Sequence, residues 1–229
     1  MKFYGIDKLS LVDYDEKIAC TIFTAGCNFR CPFCHNSSLV TSTPETSIDE
    51  EEILSYLKTR VGVLDAVVIT GGEPTLHKDL KRVITEIKKM GFLVKLDTNG
   101  TNPEIVKELI DEKLIDYVAM DIKNSREKYA LTTGLNSLDL SKIEKTVEIL
   151  LENRVPYEFR TTVIKEFHNQ EDFEKIGHWL KGAKAYRIQK FIPSENCIQK
   201  GLHELEKENA LKAKDVVLKY VSDVELRSY

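Results

Sequence analysis

Three cysteines in the first part of the chain stand at a spacing that suits a metal cluster. Cys27, Cys31 and Cys34 form a C-x3-C-x2-C loop. A [4Fe–4S] cluster normally takes one thiolate per iron, so three thiolates leave one iron without a protein ligand. Catalytic metal sites keep such an open position, whereas structural sites close it. The spacing therefore predicts an iron–sulfur cluster whose remaining ligand is a small molecule.

Two other interpretations of this loop are open. With His35 it offers a Cys3His set for structural zinc, although the adjacent Cys34 and His35 can hardly reach two corners of one tetrahedron. The paired C-x2-C spacing of zinc ribbons is missing from the sequence. The second interpretation is a chance cluster of buried thiols.

The other two cysteines stand apart from the loop. Cys20 lies in the apolar stretch 18–23, where a buried thiol is expected. Cys197 follows Pro193-Ser194-Glu195-Asn196 and is interpreted as an ordinary loop cysteine, with a ligand or a reactive thiol as alternatives. An odd number of cysteines without a secretory segment predicts a reduced, cytoplasmic protein.

Composition limits the class of protein. The chain has 229 residues, of which 42% are apolar and 31% are charged, and its net charge is −4. This length and apolar content suit one large globular domain. The negative charge and the lack of a basic run argue against nucleic acid or an anionic membrane as the main partner. No signal peptide or membrane span is expected.

Strand-like and helix-like segments alternate along the chain and must position the loop. Alternation of this kind predicts a parallel sheet with helices packed on it. The predicted strands are 18–24, 64–70, 92–96, 115–122, 157–164 and 185–191, and the predicted helices are 48–60, 80–90, 103–112, 139–153, 170–181 and 204–220. Six repeats are too few for an eight-fold barrel.

Polar residues follow each predicted strand at its carboxyl end, where parallel α/β folds bind ligands. The cysteine loop follows the first strand. The other strands end near Gly71-Gly72-Glu73-Pro74, Asp97-Thr98-Asn99-Gly100, Asp121-Ile122-Lys123, Arg160 and Gln189. So many polar groups at corresponding positions are hard to reconcile with a purely structural protein.

The cysteine loop and Gly71-Gly72-Glu73 together resemble the signature of the radical S-adenosylmethionine (SAM) superfamily. The resemblance implies an α/β fold, a partial (βα)6 TIM-like barrel. It implies one [4Fe–4S] cluster held by Cys27, Cys31 and Cys34, with SAM chelating the open iron. Reductive cleavage of SAM would then release a 5′-deoxyadenosyl radical. We expect one domain over 1–229, with an extension at 1–17 (a short hairpin is one option), a core at 18–200 and a helix and tail at 201–229.

The first two polar clusters are candidates for SAM contacts, each with a plainer alternative. Gly71 and Gly72 permit close backbone approach, and Glu73 suits the methionyl ammonium; the alternative is a tight turn. Asp97, Thr98 and Asn99 offer oxygens to ribose hydroxyls or to a small cation, with a monovalent ion as one option; the alternative is an Asx turn.

The later strands supply charged candidates. Asp121 and Lys123 alternate and so share one face, where they form an internal ion pair or place Lys123 near the SAM carboxylate. Arg160 can fork onto a carboxylate or pair with Glu158 or Asp121. Phe33 can pack on the adenine ring or simply within its loop. The roles of His35, Asn36 and Gln189 stay open.

The same motifs look like those of glycyl-radical-enzyme activases. The segment Gly26–Asn36 matches GCN-x-RC-x-[YF]CHN, and Leu11–Tyr14 and Ile188–Pro193 look like the branch that activates anaerobic ribonucleoside-triphosphate reductase. Asp15-Glu16 depart from the Pro-Gly that is frequent in that branch, and Ile192 departs from an expected arginine. These departures bear on the partner more than on the chemistry.

The resemblance implies a glycyl radical enzyme as partner and a flavodoxin or ferredoxin as electron donor. The target glycine would enter the barrel mouth on a partner loop. A radical SAM enzyme acting on a small molecule, like carboxy-deazaguanine synthase, is the alternative within the superfamily. A non-catalytic metal-binding module is the alternative outside it.

Overall fold

The computed structural model describes residues 1–41 and 46–229, and an eight-stranded sheet lies at its centre. The strand order is β10-β9-β8-β7-β6-β5-β3-β2; all neighbours are parallel except β2 and β3, which are antiparallel. The short strands β1 and β4 pair separately. In chain order the strands are β1 (Lys2–Phe3), β2 (Gly5–Ser10), β3 (Ala19–Thr24), β4 (Ile48–Asp49), β5 (Ala66–Gly71), β6 (Leu93–Thr98), β7 (Tyr117–Asp121), β8 (Tyr157–Val163), β9 (Ala185–Lys190) and β10 (Asp223–Arg227).

The helices connect successive parallel strands. They are α1 (Ser37–Thr41), α2 (Glu50–Lys58), α3 (Leu80–Lys89), α4 (Pro103–Asp111), α5 (Tyr129–Thr132), α6 (Ser141–Leu151), α7 (Gln170–Trp179) and α8 (Lys207–Val217), with 3-10 turns at Pro74–Leu76 and Arg126–Lys128. In the described parts of the chain, none of these helices is long and apolar enough to cross a membrane.

Helix α3 illustrates how the sequence forms these elements. Its buried residues Leu80, Val83, Ile84 and Ile87 recur at helical spacing and form one apolar face. Gly91 follows the helix with a φ of +93°, a conformation that favours glycine. The apolar face packs on the sheet and fixes where the carboxyl end of the next strand lies.

The two faces of the sheet differ in chemistry. On β6, Val94 and Leu96 belong to the large apolar core shared with the helices, whereas Lys95 and Asp97 alternate with them and face the inside of the barrel. On β8 the inward residues are Glu158, Arg160 and Thr162. The interior is therefore polar, and a polar interior suits a binding site better than a packed core.

Buried charges in the barrel floor are paired. Glu158 is fully buried and lies 3.7 Å from Lys95 and 2.9 Å from Arg227, and Arg187 lies 3.6 Å from it. Burying a charge costs several kcal/mol unless it is paired, and these contacts provide the compensation. The floor thus combines this ion network with a small apolar cluster of Tyr14, Ala19, Ala66 and Val68.

The loop between β2 and β3 closes the amino ends of the strands. Tyr14 is buried and packs on Tyr117, with ring centroids 5.4 Å apart. Lys95 donates from Nζ to the carbonyl oxygen of Asp13 at 2.5 Å. The Asp13 carboxylate accepts a hydrogen bond from Thr21 at 2.6 Å. The segment predicted as an extension therefore contributes to the barrel interior.

The two edge strands approach each other through a side-chain contact. β2 and β10 stand at opposite ends of the strand order. Arg227 of β10 lies 2.8 Å from Asp15, in the loop after β2. The neighbouring Glu16 has a φ of +62°, the left-handed conformation that glycine favours. This loop keeps a glycine-like turn although its sequence is Asp-Glu.

The observed architecture confirms the predicted α/β partial barrel. All six predicted βα repeats are present, with boundaries shifted by a few residues. The helix predicted at 48–60 begins at Glu50, because Ile48–Asp49 form β4. Residues 1–17 form no hairpin of their own, since β2 pairs with β3 and β1 with β4. The tail contains an unpredicted strand, β10, parallel to β9.

Candidate active site

A cavity of about 320 Å³ opens at the carboxyl ends of the parallel strands. Every residue that the family resemblance assigned to the cluster or to SAM lines this cavity. They are Cys27, Cys31, Cys34, Phe33, Gly71, Gly72, Glu73, Asp97, Thr98, Asn99, Asp121, Lys123 and Arg160. His35, Asn36 and Gln189, whose roles were left open, line it too.

The cysteine loop follows β3 and is held by hydrogen bonds to its own backbone and to its neighbours. Gly26 donates to the carbonyl oxygen of Leu39 at 2.7 Å, and Arg30 donates to that of Cys27 at 2.6 Å. The Cys27 sulfur accepts the backbone N–H of Phe29 at 3.4 Å. The loop thus presents its thiols from a backbone that is already fixed.

The thiols are suited to a cluster rather than to one ion. Burial raises the pKa of the Cys31 thiol to about 12 and also raises those of Cys27 and Cys34, so metal binding must release protons. Within residues 1–41 and 46–229 no three His, Cys, Asp or Glu side chains converge on one metal ion. In a cube each thiolate binds a different iron, so such convergence is not required. The arrangement fits a [4Fe–4S] cluster and does not favour the Cys3His zinc interpretation.

The Gly71-Gly72 turn packs directly on the cysteine loop. Gly71 has a φ of +111°, and a Cβ on Gly72 would lie 2.0 Å from the carbonyl oxygen of Gly26. Gly72 donates to Thr24 and Glu73 donates to Gly26 through their backbone N–H groups, both at 2.8 Å. Only glycine allows this approach, which joins the ends of β3 and β5.

Glu73 makes several hydrogen bonds within the protein. Its side chain is buried, and its carboxylate accepts hydrogen bonds from the backbone N–H and hydroxyl of Thr75, from the Thr98 hydroxyl at 2.8 Å and from the Asn99 N–H at 2.6 Å. Burial raises the pKa of Glu73, and these hydrogen bonds oppose that rise. The carboxylate therefore ties the β5 loop to the β6 loop, a role the sequence did not reveal.

A row of alternating charges crosses the cavity. Arg160 lies 3.1 Å from Asp97 and 3.0 Å from Asp121, and Asp121 lies 2.9 Å from Lys123. Burial acts to raise the pKa of Asp121, but Lys123 and Arg160 outweigh it and hold the pKa at about 2. Burial likewise acts against the charged form of Lys123, but Asp121 raises its pKa. Asp121 and Lys123 therefore stay ionised across the physiological range.

One oxygen of this row is left for a ligand. Asp97 uses Oδ2 for Arg160, whereas its Oδ1 is buried and has no hydrogen-bond partner in the described part of the chain. A buried carboxylate oxygen without a donor is costly. The site is therefore suited to a ligand that brings a hydroxyl or a cation to Asp97.

Two residues outside the predicted set fix this row. His168 is buried; its Nδ1 accepts the N–H of Ile164 at 3.1 Å, and its Nε2 donates to the carbonyl oxygen of Lys123 at 2.9 Å. Tyr129 donates to the carbonyl oxygen of Asp121 at 3.2 Å. These contacts hold the backbone on either side of Ile122.

Residues 191–202 pack on the cysteine loop. Gln199 donates to the carbonyl oxygen of Pro32 at 2.8 Å, and the buried Cys197 thiol donates to that of Phe33 at 3.8 Å. Phe191 stacks on His35 with centroids 5.4 Å apart. Cys197 thus contacts the loop backbone. Cys20 is fully buried, as predicted.

Further polar residues line the cavity that sequence reasoning missed. They include Asp13, Thr21, Thr70, Thr162 and Lys190. Strand alternation was a usable signal for the threonines, since Thr162 lies two residues after Arg160 and Thr70 directly precedes the glycine pair. Asp13 gave no such signal, because it reaches the cavity from a loop at the other end of the barrel.

Comparison with known proteins agrees with this geometry. The model of the radical SAM superfamily matches residues 21–180. A Methanocaldococcus jannaschii protein, provisionally named a glycyl-radical enzyme activating enzyme, is 37% identical over 98% of this chain and 95% of its own length. The chain belongs to the radical SAM superfamily. Radical SAM enzymes use a [4Fe–4S] cluster and SAM, which are therefore the cofactors of this enzyme.

Solved structures share the radical SAM fold. A radical SAM methyltransferase from Sphaerobacter thermophilus has a TM-score of 0.73 at 13% identity, over 94% of this chain and 68% of that one. Streptococcus suis SuiB bound to S-adenosylmethionine has a TM-score of 0.70 at 13% identity, over 90% of this chain and 49% of that one. Membership of the superfamily leaves no support for a non-catalytic metal-binding module.

Proposed function

We propose that this radical SAM enzyme generates a glycyl radical on a partner protein, and that the partner is an anaerobic ribonucleotide reductase. Support for activation comes from the full-length relative of that name. Support for this partner comes from the resemblance of Leu11–Tyr14 and Ile188–Pro193 to the corresponding activases. The single observation that carries the chemistry is the convergence of three thiols and the Asp97–Lys123 charge row on one cavity.

Each wall of the cavity has a proposed role. Cys27, Cys31 and Cys34 hold the cluster, and the backbone of the Gly71-Gly72 turn lies against the methionyl end of SAM. Lys123 attracts the SAM carboxylate, since its ammonium faces the cavity beside Asp121. Asp97 Oδ1 accepts a ribose hydroxyl or binds a monovalent cation, because it is the oxygen without a partner among the described residues.

When bound, the cluster supplies the electron that cleaves SAM into methionine and a 5′-deoxyadenosyl radical. The residues of the chain position SAM and keep water from the reacting atoms. Phe33 is buried, lines the cavity and packs on Phe167, so it supplies an apolar surface beside the cluster. Hydrogen abstraction would then occur at the α-carbon of a glycine that a partner loop brings to the cavity, with 5′-deoxyadenosine as the product.

The proposal includes an external electron source and a compartment. A reduced flavodoxin or ferredoxin delivers the electron to the cluster. Both the oxygen-sensitive cluster and the five free cysteines suit a reducing cytoplasm.

The first experiment tests the cluster ligands. After anaerobic reconstitution, we expect about four irons per chain in the unaltered protein, and 5′-deoxyadenosine from SAM and dithionite. Replacing Cys27, Cys31 or Cys34 with Ala should abolish both, whereas Cys20→Ala and Cys197→Ala should retain both. Retention of SAM cleavage by Cys31→Ala would refute the assignment.

The second experiment tests the partner. Candidate glycyl radical enzymes are incubated with this enzyme, SAM and reductant, and electron paramagnetic resonance is recorded. A glycyl doublet on the ribonucleotide reductase alone supports the proposal. A doublet on another candidate instead would identify that protein as the partner and contradict the proposed one.

A small-molecule reaction is the second candidate function. The deeper cavity residues Asp13, Thr21 and Thr162 are polar and suit a polar substrate. Active SAM cleavage with no glycyl signal on any candidate protein would favour this alternative.

A further inference from the structure

Asn99 points to a function different from SAM binding. Its side chain is buried, and its Nδ2 lies 3.8 Å from the sulfur of Cys27. Among the described residues it is the one side chain that donates to a sulfur of the cysteine loop. Because this sulfur is a proposed iron ligand, the contact connects the β6 loop to the cluster itself.

The orientation of the Asn99 amide is fixed by its surroundings. Its Oδ1 accepts the backbone N–H of Thr101 at 3.0 Å. A backbone N–H can only donate, so the oxygen must lie on that side. The NH2 group is then directed at Asn28 and Cys27. Flipping the amide would place two donors face to face and an oxygen against the sulfur.

Asn28, Asn99 and Thr101 form a closed ring of hydrogen bonds that all run in one direction. Asn99 Nδ2 donates to Asn28 Oδ1 at 2.8 Å, Asn28 Nδ2 donates to the Thr101 hydroxyl at 2.9 Å, and that hydroxyl donates to Asn99 Oδ1 at 2.7 Å. Hydrogen bonds joined head to tail polarise one another. One hydrogen of the Asn99 NH2 serves the ring, and the other is left for Cys27.

We propose that Asn99 is a positioning residue that raises the reduction potential of the cluster through an N–H···S hydrogen bond to Cys27, and that Asn28 and Thr101 hold it in place. Hydrogen bonds to cluster sulfurs are among the factors that set these potentials. The reduced cluster carries one more negative charge than the oxidised cluster. A donor at the sulfur therefore stabilises the reduced form more, and an electron enters more easily.

The Asn99 amide has no atom to spare for SAM. Both its oxygen and its nitrogen are engaged within the protein. Asn99 follows Asp97 and Thr98 in sequence, and this position suggested a ligand contact. The turn after β6 instead places its side chain against the cysteine loop. Residues that contact a metal ligand without binding the metal commonly change the affinity or activity of a metal site.

The test is a redox titration of the reconstituted protein, read by electron paramagnetic resonance of the reduced cluster without SAM. Asn99→Ala should shift the reduction equilibrium about tenfold toward the oxidised cluster, which is 59 mV for one electron. Thr101→Val keeps the amide but removes its support, and a smaller shift in the same direction is expected. Asn102→Ala is the matched control, since Asn102 lies in the same loop and donates to Thr75 instead.

The outcomes separate this proposal from the one on which it rests. It depends on Cys27, Cys31 and Cys34 holding the cluster, so an unaltered protein without about four irons would contradict that assignment first. If Asn99→Ala and Thr101→Val bind full iron at an unchanged potential, the amide does not set the potential. An equal shift in Asn102→Ala would also overturn the proposal. If Asn99→Ala loses its iron, the reduction potential of Thr101→Val alone tests the proposal.

Discussion

Replacing Gly72 with Ala tests whether contact between two loops builds the site. The added Cβ would lie 2.0 Å from the carbonyl oxygen of Gly26 and 2.8 Å from its carbonyl carbon. Close C···O contacts in proteins are about 3.3 Å, so the two loops must separate by roughly 1.3 Å. Gly26 directly precedes the first cluster cysteine, so the displacement reaches the proposed iron ligand.

The size of the effect follows from the contacts that break. Two backbone hydrogen bonds join these loops, Gly72 to Thr24 and Glu73 to Gly26. At about 1 kcal/mol each, their loss lowers the free energy of unfolding by about 2 kcal/mol. For a chain of this size that corresponds to a melting temperature lower by about 4–8 °C. A displacement of this size should slow SAM cleavage about 100-fold.

The assay measures iron content, thermal unfolding and 5′-deoxyadenosine release for Gly72→Ala beside Gly62→Ala. Gly62 has a φ of +78° and no atom within 4 Å of a built Cβ, so alanine there costs about 1–2 kcal/mol through backbone strain alone. The control should lose stability but keep its iron and activity. Full iron loading and an unchanged cleavage rate in Gly72→Ala would refute the reasoning.

Three further substitutions test other parts of the molecule. Lys123→Met should raise the Kd for SAM about 10–100-fold, since a charged hydrogen bond contributes about 1.5–3 kcal/mol, while the cluster absorbance stays unchanged; equilibrium dialysis and visible spectra measure both. Glu158→Gln should lower the free energy of unfolding by about 3–5 kcal/mol in urea titrations, because the cations around it lose their buried carboxylate. Glu16→Gly should raise the free energy of unfolding by about 1 kcal/mol in the same assay, because glycine accepts a positive φ.

Each of these predictions has a result that would contradict it, and the two stability predictions have a control variant. Iron loss in Lys123→Met would assign Lys123 a structural role. Glu195→Gln changes a carboxylate that is almost fully exposed and should leave the urea midpoint unchanged. An unchanged midpoint in Glu158→Gln would mean that the floor network contributes nothing. Glu51→Gly, within α2, should lower stability by about 1 kcal/mol, and a loss of similar size in Glu16→Gly would show that its turn is unstrained.

The fold could be predicted where local pattern and global packing agree. Strands such as β5 are mostly apolar runs, and helices such as α3 carry one apolar face. The alternation of strands and helices could therefore be predicted from the sequence. In strand β10 (Asp223–Arg227), Val224 is buried in the apolar core and its neighbours on the strand are exposed. The strand follows the last predicted helix, so the sequence predicts only a tail there. Its pairing with β9 depends on a partner distant in sequence.

The sequence identified which residues form the site, but it did not identify the role of each residue. The carboxyl ends of parallel strands meet at one edge, so every residue chosen there reached the same cavity. Whether a carboxylate or an amide is free depends on which donors converge on it. Thr75, Thr98 and Asn99 donate to Glu73, and Asn28 and Thr101 engage the Asn99 amide. Neither arrangement can be predicted from spacing. His168 gave no signal, because its partners are backbone atoms.

The contact between Arg227 and Asp15 gives the barrel a seam of a different kind from its other strand junctions. The parallel strands are joined by ladders of backbone hydrogen bonds, whereas the contact between Arg227 and Asp15 is an ion pair in which Asp15 is 59% exposed. Added salt screens exposed charges but hardly affects a buried backbone ladder. The Arg227–Asp15 contact should therefore weaken as ionic strength rises, whereas the backbone ladders that support the cofactor-binding wall should be unaffected.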